Sequence, residues 1–177
     1  LNGNTYELDD NMLVISDEQS VDDLAGIMGG ERTGVTENTT RMFLEAAIFD
    51  PVSIAAVCFT DPEIVGVGLT PDEAKEEGIE TIVGKFPFAA SGRALAMDAG
   101  KDGGFVRITA RKDNQVIVGI HAVGSHVSEL SGEFALALEM GARLDDISGT
   151  IHVHPTLTEA FAESALATLG HAIHISN

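Results

Sequence analysis

Short apolar segments separated by turns fill residues 64–123, and longer segments with helical spacing of apolar residues follow them. The short segments predict strands, and the last two flank a four-residue turn that predicts an antiparallel hairpin. In a predicted helix over 127–139, Leu130, Phe134 and Leu138 fall on one stripe. Strands followed by segregated helices predict an α+β fold, an antiparallel or mixed sheet packed against helices. The predicted strands are 64–68, 81–86, 104–110 and 115–123.

The sequence after the first of these strands has the signals of a helix start. Thr70 can act as the N-cap, Pro71 suits the first helical position, and Glu73 stands three residues after the cap. Gly78 is typical of a left-handed stop at the end of the helix. We therefore expect a short capped helix between the strands at 64–68 and 81–86.

Residues 1–55 differ from the rest of the chain in charge, with eleven acidic and two basic residues. A segment of this size is at the margin of independent folding. Its apolar run at 12–15 predicts a strand, and the glycine-rich 26–30 predicts a turn or a close backbone approach. The segment 41–49 fits a strand better than a short helix. The sequence thus predicts a β-rich extension at 1–55 and a domain at 56–177.

The charge and cysteine content exclude several classes of function. The 177 residues include 28 acidic and 10 basic side chains, a formal charge of −18, which argues against binding nucleic acid or an anionic membrane. Cys58 is the single cysteine, so no disulfide or two-cysteine redox centre can form within the chain; its apolar neighbours predict an inert core thiol. Without a long apolar run or a basic leader, we expect a cytoplasmic protein.

The segment 151–159 contains the residues best suited to acid–base chemistry. Pro155 is expected to start the last helix, which would run to about residue 169, with His154 in the preceding loop and Glu159 within the helix. A carboxylate that holds one ring nitrogen selects the tautomer and raises the basicity of the other, as a general base requires. Spacing alone favours the alternative, in which His154 caps the helix and Glu159 stabilises its positive end.

Two histidine pairs have spacings that metal ligands can have: His152 with His154, and His171 with His174. Alternation along a strand would place the first pair on one face. No third ligand is fixed by spacing, and zinc sites need three or four. We therefore expect no metal site.

The glycines at 66 and 68 follow a predicted strand, as they would in a dinucleotide-binding fingerprint. Pro71 stands where the third glycine is required, and the segments that follow do not form a parallel βαβ unit. Dinucleotide binding by this segment is therefore not expected.

Three motifs stand in order along residues 56–177: Val-Cys-Phe-Thr-Asp-Pro-Glu at 57–63, Phe-Ala-Ala-Ser-Gly-Arg-Ala at 88–94, and His-Val-His-Pro-Thr-Leu-Thr-Glu at 152–159. With these motifs and Gly141, residues 56–177 resemble the dimerisation (interface) domain of dihydrolipoamide dehydrogenase. The resemblance implies the antiparallel sheet and helices that flavin-dependent disulfide oxidoreductases use to form homodimers.

The same resemblance implies roles for two residues. His154 corresponds to the family's catalytic base and Glu159 to the residue that orients it. In the family this histidine reaches the redox disulfide and flavin of the other subunit and takes a thiol proton from dihydrolipoamide. The family uses FAD and NAD, but its flavin and nicotinamide domains and its cysteine pair are not in these 177 residues. We therefore expect no cofactor in this chain.

Residues 1–55 contain four segments, at 15–18, 25–30, 35–40 and 43–51, that match a different family. In these segments the chain resembles part of the editing domain of the phenylalanine–tRNA ligase beta chain. The resemblance implies that Ala25, Gly26 and Gly29 line a pocket for misacylated tyrosine and that Glu45 contacts the tyrosine hydroxyl. The other wall of that pocket belongs to a part of the domain that these residues do not match.

Two unrelated families within one short chain predict an engineered or recombined fusion with its seam near residue 55. Such a chain is expected to fold, to form a homodimer through 56–177 and to catalyse no turnover of its own, since a base alone transfers no electrons. One alternative is a natural fragment of dihydrolipoyl dehydrogenase, an oxidoreductase that acts on dihydrolipoamide through the His–Glu pair. A second is an editing-type hydrolase fragment of phenylalanine–tRNA ligase.

Overall fold

The computed structural model describes residues 5, 7–8, 14–16, 18, 20–24, 28–29, 37–38, 55–100 and 103–176. Contacts between backbone positions divide the chain into two compact units, Leu1–Ala47 and Ile48–Asn177, here called the N-terminal and C-terminal units. The domain boundary predicted at residue 55 stays a prediction. Over the described ranges no helix is long and apolar enough to cross a membrane.

The N-terminal unit contains a short antiparallel sheet in the order β1-β2-β3, with strands at Val14–Ser16, Val21–Leu24 and Met28–Gly29. The strand predicted at 12–15 is present at its C-terminal end as part of β1. Of the segment 26–30, predicted to form a turn or a close backbone approach, Met28 and Gly29 are described, and both pair with β2. The strand predicted at 41–49 lies outside the described residues.

The C-terminal unit is built on a sheet of five strands in the order β4-β5-β8-β7-β6, and every neighbouring pair is antiparallel. The predicted hairpin is confirmed as β7 and β8, and the predicted strands at 64–68 and 81–86 as β5 and β6. The predicted α+β class is thereby confirmed. The strands are Ala55–Cys58 (β4), Glu63–Gly68 (β5), Thr81–Pro87 (β6), Phe105–Arg111 (β7) and Ile117–Gly124 (β8).

Helices cover the sheet of the C-terminal unit, with α3 packed on β4, β5 and β8, and α5 packed on β6 and β7. The predicted helix over 127–139 begins as a 3-10 turn at Val127–Leu130 and continues as α3. The described α-helices are Pro71–Glu76 (α1), Gly92–Ala96 (α2), Ser131–Glu139 (α3), Leu144–Gly149 (α4) and Glu159–Leu169 (α5).

The hydrophobic core lies between the helices and one face of the sheet. Alternation along β5 directs Val65 and Val67 to this face, and both are buried. The rings of Phe134 on α3 and Phe161 on α5 meet edge to face, with centroids 4.9 Å apart. Full burial of each such side chain contributes about 1.5–3 kcal/mol of transfer free energy. The aromatic contact therefore joins the two longest helices of the described residues over the sheet.

The predicted capping of α1 is confirmed atom by atom. The Thr70 N–H donates to Glu73 Oε2 at 2.8 Å, and the Glu73 N–H donates to Thr70 Oγ1 at 3.2 Å. Pro71 is the first helical residue. After the helix, Gly78 has a φ of +75°, the left-handed conformation that favours glycine.

Two expectations are wrong in this unit. The last helix does not begin at Pro155: residues 154–158 form a turn with a cis His154–Pro155 peptide, and α5 begins at Glu159. Cys58 is not a core thiol but is exposed. It lies on the edge strand β4, where Ala55 and Val57 pack against the core and the alternating residues face away from it.

Candidate functional site

His154 and Glu159 form a hydrogen-bonded pair at the start of α5. Nδ1 of His154 lies 2.9 Å from Oε1 of Glu159. The second carboxylate oxygen, Oε2, accepts a hydrogen bond of 2.8 Å from the N–H of Thr156. The imidazole is 76% exposed and the carboxylate 27%. The turn before the helix therefore closes on the carboxylate and presents the imidazole at the surface.

The charge of Glu159 fixes the tautomer of His154. Burial alone would raise the pKa of Glu159, but hydrogen bonds from the Thr156 N–H and from His154 outweigh burial and lower this pKa below its ordinary value. An ionised carboxylate can only accept, so Nδ1 of His154 must carry the donated proton. The neutral imidazole then has its lone pair on Nε2, which can accept a proton from a ligand.

Two threonines hold the turn that carries His154. Thr156 Oγ1 donates to the carbonyl of Val153 at 2.6 Å and lies 2.8 Å from Thr158 Oγ1. Glu159 is the first residue of α5, where the helix dipole also favours a negative charge. The interpretation of His154 and Glu159 as separate helix-end residues therefore misses their direct hydrogen bond.

Close packing of α5 on the sheet fixes the position of Glu159. The buried Ser164 hydroxyl lies 3.2 Å from the carbonyl oxygen of Gly84 and 3.1 Å from that of Val106. A Cβ at Gly84 would lie 2.6 Å from the Thr168 nitrogen and 2.7 Å from the Ser164 carbonyl oxygen. Only glycine at this position of β6 allows the helix to approach so closely.

A second histidine–glutamate pair lies beside the first. Glu163 Oε1 accepts from Nδ1 of His174 at 2.8 Å, and Oε2 accepts from the N–H groups of Ile173 and His174 at 3.1 and 3.3 Å. Glu163 is buried, whereas the His174 side chain is 56% exposed. The sequence interpretation paired His174 with His171 and did not include Glu163. The available signal was the spacing of Glu159 and Glu163, four residues apart on one helix face.

Both pairs line one small cleft. Its charged or titratable walls are His154, Glu159, Glu163 and His174, and its uncharged walls are Phe86, Ala90, Ser91 and Gly92. Two more open depressions of the C-terminal unit are lined by residues within 71–81 and 111–113 and include none of the predicted site residues.

Three of the four histidines considered as metal ligands, His152, His154 and His174, have side-chain hydrogen-bond partners. His152 lies 2.9 Å from Glu133 Oε1 through Nε2 and 2.9 Å from the Thr150 carbonyl oxygen through Nδ1. It is not on a strand, so the alternation expected to align it with His154 does not apply. Within the described ranges, no three His, Cys, Asp or Glu side chains are grouped so that they could hold a metal ion.

Of the four residues predicted to line a pocket in the N-terminal unit, the structure describes one, Gly29. Gly29 lies in β3 and pairs with Asp23 of β2. Ala25, Gly26 and Glu45 lie outside the described residues, so their predicted roles stay predictions.

Comparison with known proteins gives the family of the C-terminal unit. The model of the pyridine nucleotide-disulphide oxidoreductase dimerisation domain matches residues 54–165, more than half of the chain. The chain belongs to this family. The pyridine nucleotide-disulphide oxidoreductase dimerisation domain thus includes β4–β8, the turn that carries His154, and the first part of α5, with both glutamates.

Dihydrolipoyl dehydrogenases are among the curated relatives of this dimerisation domain. That of Pseudomonas aeruginosa is 61% identical over 127 residues, which cover 72% of this chain and 27% of that protein. That of Halobacterium salinarum is 50% identical over 133 residues, covering 75% of this chain and 28% of the relative. The chain therefore spans little more than a quarter of the length of the relatives it matches.

Solved structures show the same fold. LpdA from Mycobacterium tuberculosis superimposes with a TM-score of 0.61 at 26% identity, over 68% of this chain and 26% of that one. The HOCl-induced flavoprotein disulfide reductase RclA from Escherichia coli gives a TM-score of 0.60 at 21% identity, over 64% of this chain and 26% of the other. The second likeness establishes the fold alone.

The N-terminal segment matches a different family. The B3/4 domain model matches residues 1–58, and this match overlaps the dimerisation-domain match by a few residues. The resemblance of the opening segment to the phenylalanine–tRNA ligase beta chain is thereby confirmed. Two family models thus match largely separate segments of the chain.

Proposed function

We propose that the C-terminal unit is the dimerisation domain of a dihydrolipoyl dehydrogenase, which pairs with a second copy and presents His154 as the proton acceptor for a thiol of dihydrolipoamide. The observation that carries this proposal is the 2.9 Å contact between His154 Nδ1 and Glu159 Oε1. The 61% identity to a dihydrolipoyl dehydrogenase supports the choice of substrate class.

The chemistry assigned to the pair is removal of a thiol proton. A free thiol has a pKa of about 8.5, so at neutral pH a base must take its proton to form the nucleophilic thiolate. His154 accepts that proton at Nε2, and the ionised Glu159 stabilises the imidazolium that forms. Thr156 keeps the carboxylate in place through its backbone N–H.

The electrons released by a dithiol need an acceptor, and the family resemblance implies FAD and NAD for that role. The glycines of β5 do not fit a dinucleotide. A Cβ at Gly66 would lie 3.3 Å from the His121 ring, and Gly68 lies against the backbone of Val118, so neither leaves room for a phosphate cradle. With one cysteine, the chain cannot form a redox disulfide by itself. We expect it to bind no FAD or NAD and to have no turnover of its own.

Two family matches in one chain support a fusion, engineered or recombined, of an opening segment at 1–55 with a dimerisation domain at 56–177. In such a fusion the C-terminal unit supplies the base and the homodimer contact. The pocket residues of the opening segment have no assigned function in this proposal.

Nitrogen NMR of the histidine-labelled chain tests the role of His154. We expect His154 to carry its proton on Nδ1 when neutral, and Glu159→Ala to abolish this preference because the acceptor is lost. Glu139→Ala, at an exposed position of α3, is the matched control and should leave His154 unchanged.

Two results would contradict the proposal. One is a wild-type His154 with the proton on Nε2, since the lone pair would then face Glu159 instead of a ligand. The other is reduction of NAD by dihydrolipoamide in the presence of the purified chain alone, which would show that it carries its own electron acceptor.

A further inference from the structure

The cleft beside His154 contains two carboxylates from one helix, each bonded to a histidine from a different segment. Glu159 holds His154 of the preceding turn, and Glu163 holds His174 of the segment that follows α5. The two glutamates are four residues apart, so they stand on the same face of the helix. Both imidazoles therefore line the same cleft.

Burial of Glu163 shows that its position is built into the fold. Taking a carboxylate out of water costs several kcal/mol unless hydrogen bonds compensate for the loss. Glu163 has three donors, two of them backbone N–H groups of Ile173 and His174, so it fixes the chain after the helix. Its other oxygen holds the His174 ring, which is thereby placed in the cleft although it is 56% exposed.

We propose that Glu163 and His174 form a second proton-binding pair that tunes the proton affinity of His154, a proposal that rests on His154 being the base. When His174 is protonated, its positive charge stabilises the ionised Glu159 and opposes a second positive charge on His154. When His174 is neutral, His154 holds its proton more tightly. Glu163 is a positioning residue in this arrangement, since it acts through His174.

The charged or titratable groups that face His154 in the cleft come from two segments. Glu159 and Glu163 lie on α5, and His174 lies on the segment after it. The walls from β6 and from the 88–92 segment are uncharged. His171, three residues before His174, is exposed and is not among the lining residues. The charge of His174 also acts to lower the pKa of Glu159.

Titration of the histidine-labelled full chain by nitrogen NMR tests this coupling. We expect His174→Gln to raise the pH midpoint of His154 by roughly half a unit, the size expected for one like charge in partly solvated surroundings. His174→Lys keeps a positive charge at this position and should return the midpoint toward the wild-type value. His171→Gln is the matched control and should leave it unchanged.

A second variant tests whether Glu163 positions His174 or only stabilises the fold. Glu163→Gln should loosen the segment after α5, seen as hydrogen exchange at least about tenfold faster at the amides of Ile173 and His174. Because it removes a negative charge from the cleft, it should not raise the His154 midpoint as His174→Gln does. If Glu163→Gln does not fold, the comparison of His174→Gln with His174→Lys decides the proposal by itself, because these two variants differ in charge at one position.

The proposal is overturned if His174→Gln leaves the His154 midpoint within about 0.1 unit of the wild-type value, below the effect of one nearby charge. It is also overturned if His174→Lys and His174→Gln give the same midpoint, since charge would then have no effect. Failure of the underlying function is recognised separately, by the tautomer of His154. If neutral His154 carries its proton on Nδ1 but its midpoint does not depend on the charge at position 174, this inference is rejected and the proposed function is not.

Discussion

At the scale of single residues, His121 on β8 shows how burial changes the pKa of a titratable side chain. Its Nδ1 is buried without a hydrogen-bond partner, and its ring lies against Gly66 of the neighbouring strand. Burial, reinforced by the positive charge of Arg107, lowers the pKa of His121 to about 4, with Glu73 acting in the opposite direction. The folded chain therefore keeps this imidazole neutral well below pH 6.5.

This shift predicts a loss of stability on mild acidification. The unfolded chain protonates this histidine near pH 6.5 and the folded chain near pH 4, so between these values the unfolded state binds more protons and stability falls as pH falls. Urea unfolding between pH 7 and 5 should show a decreasing midpoint. His121→Gln should make this decrease smaller.

The unfolding experiment stays above pH 5 because the carboxyl groups change the stability of the chain only at lower pH. The pKa values of Glu63, Glu73 and Glu159 are depressed in the folded state, so their contributions are lost only below the ordinary value of 4.5. An equally steep decrease in wild type and His121→Gln would show that His121 is not its source.

The residues of the candidate site were predictable to different degrees. His154 and Glu159 are close in sequence and within a recognisable motif, so their pairing could be proposed before the structure. Glu163 and His174 meet because the chain turns back along α5, which no local pattern in the sequence indicates. Cys58 was assigned to the core from its apolar neighbours, but on an edge strand alternate residues face away from the core.

At the scale of elements, the contact of α5 with β6 decides where the base stands. A Cβ added at Gly84 would lie within 2.7 Å of backbone atoms of Ser164 and Thr168. Gly84→Ala should therefore push the helix from the sheet and lower the free energy of unfolding by about 1–3 kcal/mol, as overpacking does. Chemical denaturation measures this loss.

The matched substitution is Gly132→Ala, near the start of α3, where a Cβ would meet nothing within 4 Å. Alanine is a better helix former than glycine, so this variant should be as stable as wild type or more stable by up to about 1 kcal/mol. Equal losses in the two variants would refute the close-approach argument for Gly84.

Elements with strong local signals were predictable, and those without them were not. The capping residues identified α1, and the turn at 111–114 identified the hairpin of β7 and β8. The helices α2 and α4 have five and six residues, too few to show a helical period. Pro155 suggested a helix start, but hydrogen bonds to Glu159 and between Thr156 and Thr158 stabilise a turn there instead.

At the scale of the whole molecule, exposed apolar residues flank the site. Ile151 is 95% exposed and Val153 is 73% exposed, on either side of His152 and just before the base. Large apolar side chains at such positions are typical of an interface with another chain. Since the family is a dimerisation domain, we expect these residues to be covered by a second copy.

Light scattering at micromolar concentrations should therefore give the mass of a dimer, about twice 18.6 kDa. Ile151→Asp should shift the equilibrium to monomer because it places a charge in the contact. Val83→Asp, on the sheet strand β6 and half exposed, is the control and should stay dimeric. A wild-type chain that is monomeric throughout would exclude this expectation.

The class of the whole C-terminal unit was predictable, but its strand order was not. Hairpins and helix signals give neighbours in sequence, and they lead to an antiparallel sheet with helices. The order β4-β5-β8-β7-β6 places β5 beside β8 across about 50 residues of chain. That pairing depends on the shared core, which appears only when the chain is folded.

The hydrogen bonds that hold the candidate base come from one contiguous stretch, Val153 to Glu159. We expect this short segment to keep its internal hydrogen bonds wherever the helix that follows it can pack on a sheet. Transplanting it onto another helix-on-sheet scaffold would carry over the orientation of the imidazole without the rest of a catalytic centre. Recombination of genes can in this way transfer a positioned base to another protein without the groups that carry electrons.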